Sequence, residues 1–138
     1  MATWNDLKTY IRNNYKVADE RENAIKLIFD VGGLRSQVVL IWHVPLQGSN
    51  DDWIQIESPI GELGQIDLAA ALHHVGGTVV GGLALAVSDN PSGPPPLVTF
   101  RHSVPLDDLS INEFEAPLAL VTSTADRLEQ ALTGGDTF

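Results

Sequence analysis

The architecture of this 138-residue chain is set by a hairpin at residues 25–44, IKLIFDVGGLRSQVVLIWHV. Before the two glycines, apolar residues recur at every second position, which is typical of a strand with one buried face. Gly32-Gly33 predicts a tight turn, because glycine accepts the positive φ that two-residue hairpin turns require. The second strand is predicted from Leu34 to Val44, and its later half is apolar on both faces. We therefore expect that part of the sheet to be covered on both sides.

The segments around the hairpin extend the pattern to the order α-β-β-β-α-β-β-α. A first helix is predicted from Thr3 to Asn14, where Thr3 suits the N-cap and apolar residues recur at helical spacing. A run of turn-forming residues and prolines at 89–96 predicts a hairpin loop between the last two strands. The remaining predictions are a third strand at Asp52 to Ser58, an alanine-rich helix at Gln65 to His74, and strands at Leu83 to Ser88 and Leu97 to Val104.

The C-terminal segment predicts a long amphipathic helix that packs on the sheet. Ser110 and Glu113 form the S-x-x-E pattern of a capping box, and Gly134-Gly135 predicts the end of the helix. Pro117 lacks the N–H that a helix interior needs, so we expect a kink or a restart there. Apolar residues separated alternately by three and four positions form its seam: Ile111, Phe114, Leu118, Val121, Ala125, Leu128 and Leu132. Together these patterns predict one α+β domain, residues 1–138, with helices packed on an antiparallel sheet.

Composition and charge narrow the classes of function. The formal net charge is −10; residues 1–40 carry six basic and five acidic side chains, and the rest carry two and thirteen. An acidic surface repels phosphate backbones and anionic lipid headgroups, which argues against nucleic-acid and membrane partners. The chain has no cysteine, which excludes disulfides and thiolate metal sites. Because no signal-peptide pattern and no apolar run of about 20 residues occurs, we expect a cytoplasmic protein.

Residue types that could perform catalysis occur without the spacing that a reactive site needs. The four histidines either lie on separate elements or diverge on one predicted helix, so no metal site is predicted. The glycine-rich segment at 75–82 follows a helix and opens a strand, which is the reverse of a phosphate-binding loop. No serine or acidic residue has the spacing of a nucleophile or general base beside a histidine. We therefore predict no catalytic residue, no metal and no cofactor, and expect a protein that is not an enzyme.

Four short motifs, spread over nearly the whole chain, carry a resemblance to a known family. They are Trp4-x-x-Leu7, the segment LRSQV at 34–38, the segment WIQIESP at 53–59, and the stretch from Val121 to Leu132. They resemble the type III secretion chaperone-like fold, including the YbjN-like family of bacterial sensory transduction regulators. The resemblance implies a homodimer without enzymatic activity. In the chaperone branch it also implies binding of an extended partner segment on apolar patches.

Two hypotheses follow for function. The first is a protein-interaction module, with a partner protein docking on the near-neutral N-terminal third. The side chains expected to contact the partner are Trp4, Leu7 and Ile11, and those expected to form the dimer interface are Leu68, Leu72, Leu83 and Leu85. The alternative is a small-ligand-sensing domain with a cavity between the sheet and the C-terminal helix. Arg35 and Arg101 are the expected anchors for an anionic ligand there, because they are strand arginines in a chain with few basic residues.

Overall fold

The computed structural model describes residues 1–48 and 51–133, so the loop residues Ser49-Asn50 and the expected helix end at Gly134-Gly135 lie outside it. The elements are helix α1 (Trp4–Asn14), strands β1 (Val17–Arg21), β2 (Ala24–Gly32), β3 (Arg35–Pro45) and β4 (Asp52–Glu62), helix α2 (Leu68–Val75), strands β5 (Gly82–Ala86) and β6 (Leu97–Pro105), and helix α3 (Ile111–Thr133). A short 3-10 turn at Leu63–Gln65 precedes α2. The predicted α+β class is confirmed.

The strands form one antiparallel sheet in the order β1-β2-β3-β4-β6-β5. The β2–β3 hairpin turns at Gly32 and Gly33, whose φ angles are 109° and 59°, as the predicted turn requires. Strand β1 is an additional strand that the predicted order did not include. No pattern in the sequence predicts β1, because its residues VADER are mostly polar and exposed, and only Val17 at its start packs on the core.

Strand β4 runs to Glu62, four residues beyond its predicted end at Ser58. A bulge between Pro59 and Gly61 lets the proline lie within a central strand without a regular ladder at that point. A Cβ added at Gly61 would lie 3.0 Å from the Ile66 side chain, so glycine allows the chain after β4 to pack closely here. The predicted helix at 65–74 accordingly starts later, at Leu68, where the side chain of Asp67 caps it.

Local signals in the sequence fix where the long helices begin. Helix α1 starts as predicted, with Thr3 Oγ1 accepting a hydrogen bond from the Asp6 N–H at 3.1 Å. The capping box at the start of α3 is also confirmed, because Ser110 and Glu113 exchange two hydrogen bonds of 3.1 Å each. Helix α3 continues through Pro117 without a restart. The side chains of Phe114 and Leu118 on either side of the proline are buried, and this packing holds the helix across the missing hydrogen bond.

The three helices lie on one face of the sheet. The main core cluster joins α1 and α3 to β2, β3 and β4, and a second cluster joins α2 and α3 to β6. Among the residues that the structure describes, helices therefore cover only one face of strand β3. The expectation of cover on both faces is wrong. Within residues 1–48 and 51–133, none of the helices has the length and apolar character needed to cross a bilayer.

Candidate functional site

The three side chains predicted to contact a partner are core residues. Trp4 is 7% exposed, and Leu7 and Ile11 are fully buried. The Trp4 ring stacks on His43 at 5.3 Å, and its Nε1 donates to the Glu22 carbonyl oxygen at 2.8 Å. Because the chain's own sheet and α3 cover them, these side chains offer almost no surface to a partner in this fold. An apolar helical stripe has the same spacing whether it faces its own core or another molecule, so the sequence did not distinguish the two.

An apolar groove of about 430 Å³, here called the leucine groove, lies between α2 and strand β5. Leu68 and Leu85 are each 46% exposed and Leu72 is 61% exposed, while Leu83 is half-buried. The four leucines that were predicted for the dimer interface thus come together on one surface. The residues that line the groove are all apolar: Leu63, Leu68, Leu72, Leu83, Ala84, Leu85 and Val98.

The leucine groove adjoins an edge of the sheet. Strand β5 hydrogen-bonds to β6 on one side, and on its other side, among the residues that the structure describes, it forms the edge of the sheet. Edge strands commonly carry lysine, proline or another feature that prevents pairing, but the sequence of β5 is GLALA. An extended segment can add to such an edge as a further strand and place its alternate side chains in the adjoining groove. The arrangement is therefore suited to binding protein.

A second surface is the sheet face opposite the helices, here called the open face. It carries an aromatic and aliphatic row: Ile28, Val38, Leu40, Trp42, Val44 and Trp53. At its centre Glu57, only 7% exposed, accepts a hydrogen bond from Trp42 Nε1 at 3.1 Å and another from the Thr99 hydroxyl at 2.8 Å. Arg101 Nε lies 3.7 Å from the same carboxylate. These contacts hold the Trp42 ring in one orientation, so the open face presents a preorganised aromatic side chain.

A cleft of about 350 Å³, here called the tyrosine cleft, opens between the end of β2 and α3. This is where the alternative hypothesis placed a cavity, but the two predicted arginines do not meet there. Arg35 Nη2 lies 2.9 Å from Asp126 Oδ2 at one end of the cleft, whereas Arg101 belongs to the open face on the other side of the sheet. The strand alternation puts their side chains on opposite faces, so they cannot anchor one anion together.

Two acidic residues of α3, Glu115 and Asp126, also line the tyrosine cleft. The hydroxyls of Tyr10 and Tyr15 both donate to Glu115 Oε1. Burial, together with this hydrogen bond, raises the pKa of Tyr15 to about 12. The hydrogen bond to Glu115 likewise raises the pKa of Tyr10. Both tyrosines therefore remain neutral donors at physiological pH and hold the Glu115 carboxylate in place.

The four histidines have separate surroundings. His43 Nε2 lies 3.3 Å from an Asp52 carboxylate oxygen, and His102 Nδ1 accepts a backbone N–H. His73 and His74 are exposed neighbours on α2. No group of three or more histidine, aspartate or glutamate side chains in the described part of the chain is placed to hold a metal ion.

Comparison with solved structures identifies a protein of the same fold. The chain is similar to the crystal structure of YbjN from E. coli, which is described as a candidate transcription regulator. The identity is 12%, the match covers 94% of each chain, and the TM-score is 0.52. The resemblance to YbjN-like proteins in the sequence is therefore confirmed at the level of the fold. No protein-family model and no curated protein sequence matches the chain.

Proposed function

We propose that this chain is a non-enzymatic protein-interaction module, a chaperone-like or regulatory protein that acts as a homodimer and binds a segment of a partner protein in the cytoplasm. The observation that carries the proposal is the leucine groove beside the edge of β5 that no described strand pairs with. The fold shared with YbjN agrees with a regulatory role, because that protein is described as a regulator.

The leucine groove is the surface that we assign to the dimer. A two-fold interface uses the same patch on both copies, so the exposed leucines of each copy would become buried in the dimer. Full burial of a leucine side chain contributes about 1.5–3 kcal/mol relative to exposure, and the exposed parts of Leu68, Leu72 and Leu85 would gain a share of this. The groove residues are uncharged, so the net charge of −10 does not place like charges in contact there.

The open face is the surface that we assign to the partner segment. Trp42 is 37% exposed at its centre, and Ile28 is 49% exposed towards β1. Rigid tryptophans at the centre of an apolar surface are frequent energetic hot spots of protein interfaces. A dimer formed through α2 and β5 would leave this part of the sheet accessible, so the two surfaces could act at the same time.

Light scattering after size exclusion tests the dimer. We expect the wild-type chain to elute as a dimer at micromolar concentration and Leu72→Glu to shift it to the monomer, because a buried unpaired carboxylate is strongly unfavourable. Leu120→Glu is the matched control, since Leu120 is an exposed helical leucine outside the groove. A wild-type monomer at that concentration, or a Leu72→Glu chain that remains dimeric, would refute the proposed interface.

A second candidate function, sensing of a small ligand, is supported by the tyrosine cleft. Its position between the sheet and α3 fits the expected cavity, and its volume lies within the range of small-molecule sites. Thermal-shift measurements with anionic and cationic compounds test this function. If no compound of either charge stabilises the chain, this second function is excluded.

A further inference from the structure

The tyrosine cleft has the form of a small-molecule site with a defined charge. Phe29, Val31 and Leu118 contribute apolar walls at the strand end and on the helix. The Tyr15 ring meets Phe29 edge-on, with centroids 5.8 Å apart and planes at 84°, so this aromatic wall is fixed by packing. A mostly apolar concavity with a few oriented polar groups is typical of ligand sites.

The polar groups of the cleft favour a cation. Glu115 and Asp126 supply two negative charges, and Arg35 compensates that of Asp126 through their ion pair. The face of an aromatic ring attracts cations as well. An anion would meet the uncompensated Glu115 carboxylate, so the anionic ligand expected from Arg35 does not fit this cleft.

Glu115 is the group that is prepared to receive the cation. Both tyrosine hydroxyls donate to its Oε1, while no described residue donates a hydrogen bond to Oε2. The carboxylate is therefore oriented by two donors and keeps one oxygen available at the wall of the cleft. A charge-assisted hydrogen bond to such an oxygen is among the strongest that a side chain can form.

We propose that the tyrosine cleft binds a small organic ammonium compound, a protonated amine that carries an aromatic or branched apolar group. The ammonium group donates to Glu115 Oε2, and the apolar group lies against Phe29 and Leu118. The site is separate from the leucine groove and from the open face, so it does not depend on the proposed dimer.

Two probes of similar size and opposite charge test this site, 2-phenylethylammonium and 3-phenylpropanoate. Each is titrated at neutral pH into the full chain and followed by amide chemical shifts. We expect the ammonium compound to shift the amides of Phe29, Val31 and Leu118 in a saturable way, and the carboxylate compound to leave them unchanged. Shifts of equal size with both probes, or none with the ammonium compound, would overturn the proposal.

A charge-matched pair of variants separates the site from general attraction to an acidic protein. Glu115→Gln retains an oxygen that can accept the tyrosine bonds but loses the charge, so ammonium affinity should fall about tenfold. Glu22→Gln removes the same charge from an exposed position outside the cleft, and its affinity should be unchanged. Equal affinities in the two variants would contradict the role of Glu115. Leu72→Glu should bind the ammonium compound like the wild type, which keeps this result independent of the dimer.

Discussion

The two faces of the sheet are built from the same strands, but their side chains differ in how far they are buried. On the helix-covered face the central side chains are fully buried: Val39, Ile41, Ile54 and Ile56. On the open face their neighbours in sequence include Trp42, which is 37% exposed and whose indole N–H donates a hydrogen bond to Glu57. Three helices suffice to cover one face of a six-stranded sheet, and the apolar character of the other face remains available to another molecule.

The largest expected effect comes from opening a cavity on the covered face. Phe114→Ala should lower the free energy of unfolding by about 3–5 kcal/mol, because Phe114 is fully buried between α3 and the sheet. Trp42→Ala on the open face is the comparison, and its loss should be less than half as large. Urea denaturation followed by circular dichroism measures both. Equal losses would mean that the two faces are covered alike in solution.

A smaller loss is expected from the polar centre of the open face. Glu57→Ala leaves the Trp42 indole N–H and the Thr99 hydroxyl without their acceptor and removes the carboxylate that faces Arg101. We expect a loss of about 1–3 kcal/mol in the same denaturation experiment. Glu57→Gln retains an acceptor oxygen and serves as the control, with a smaller loss. If the alanine variant unfolds like the wild type, the network does not fix Trp42.

The smallest effect concerns the rim of the covered face, where the tyrosine cleft lies. Both tyrosines in the chain should have a pKa above the usual tyrosine pKa of 10, and the pKa of Tyr15 should be about 12. Because the folded pKa is raised, the stabilising contribution is complete below pH 10 and is lost as the pH rises towards 12. Ultraviolet absorbance of tyrosinate measures the titration. Glu115→Gln should move the Tyr15 pKa back towards 10; an unchanged pKa would show that Glu115 does not contribute.

Features that depend on nearby residues were predictable from the sequence. The Thr3 cap, the Gly32-Gly33 turn and the Ser110–Glu113 capping box each involve residues at most three positions apart, and all three are present. The seam of α3 was also recognisable, because a helix with a regular apolar stripe must bury that stripe somewhere. The four leucines expected at the dimer interface line one groove, and their role in a dimer stays a prediction.

Features that depend on which face a side chain occupies were not predictable. Arg35 and Arg101 look alike in sequence, but the register of the sheet sends one towards α3 and the other to the open face. Trp4 and Trp42 are similarly ambiguous, and only the packing of α1 shows that Trp4 is the buried one. The pairing of two tyrosines with Glu115 joins residues 100 and 105 positions apart, a distance over which no local pattern carries information.

Hydrogen–deuterium exchange of the intact wild-type chain, at concentrations below and above the association midpoint, examines the leucine groove itself. If the groove joins two copies, the amides of α2 and β5 become protected as the concentration rises. The amides of α1 stay unchanged, because its apolar face is already buried in each copy. Protection that does not change in α2 and β5 while light scattering reports a dimer would place the interface elsewhere and contradict the assignment of the groove.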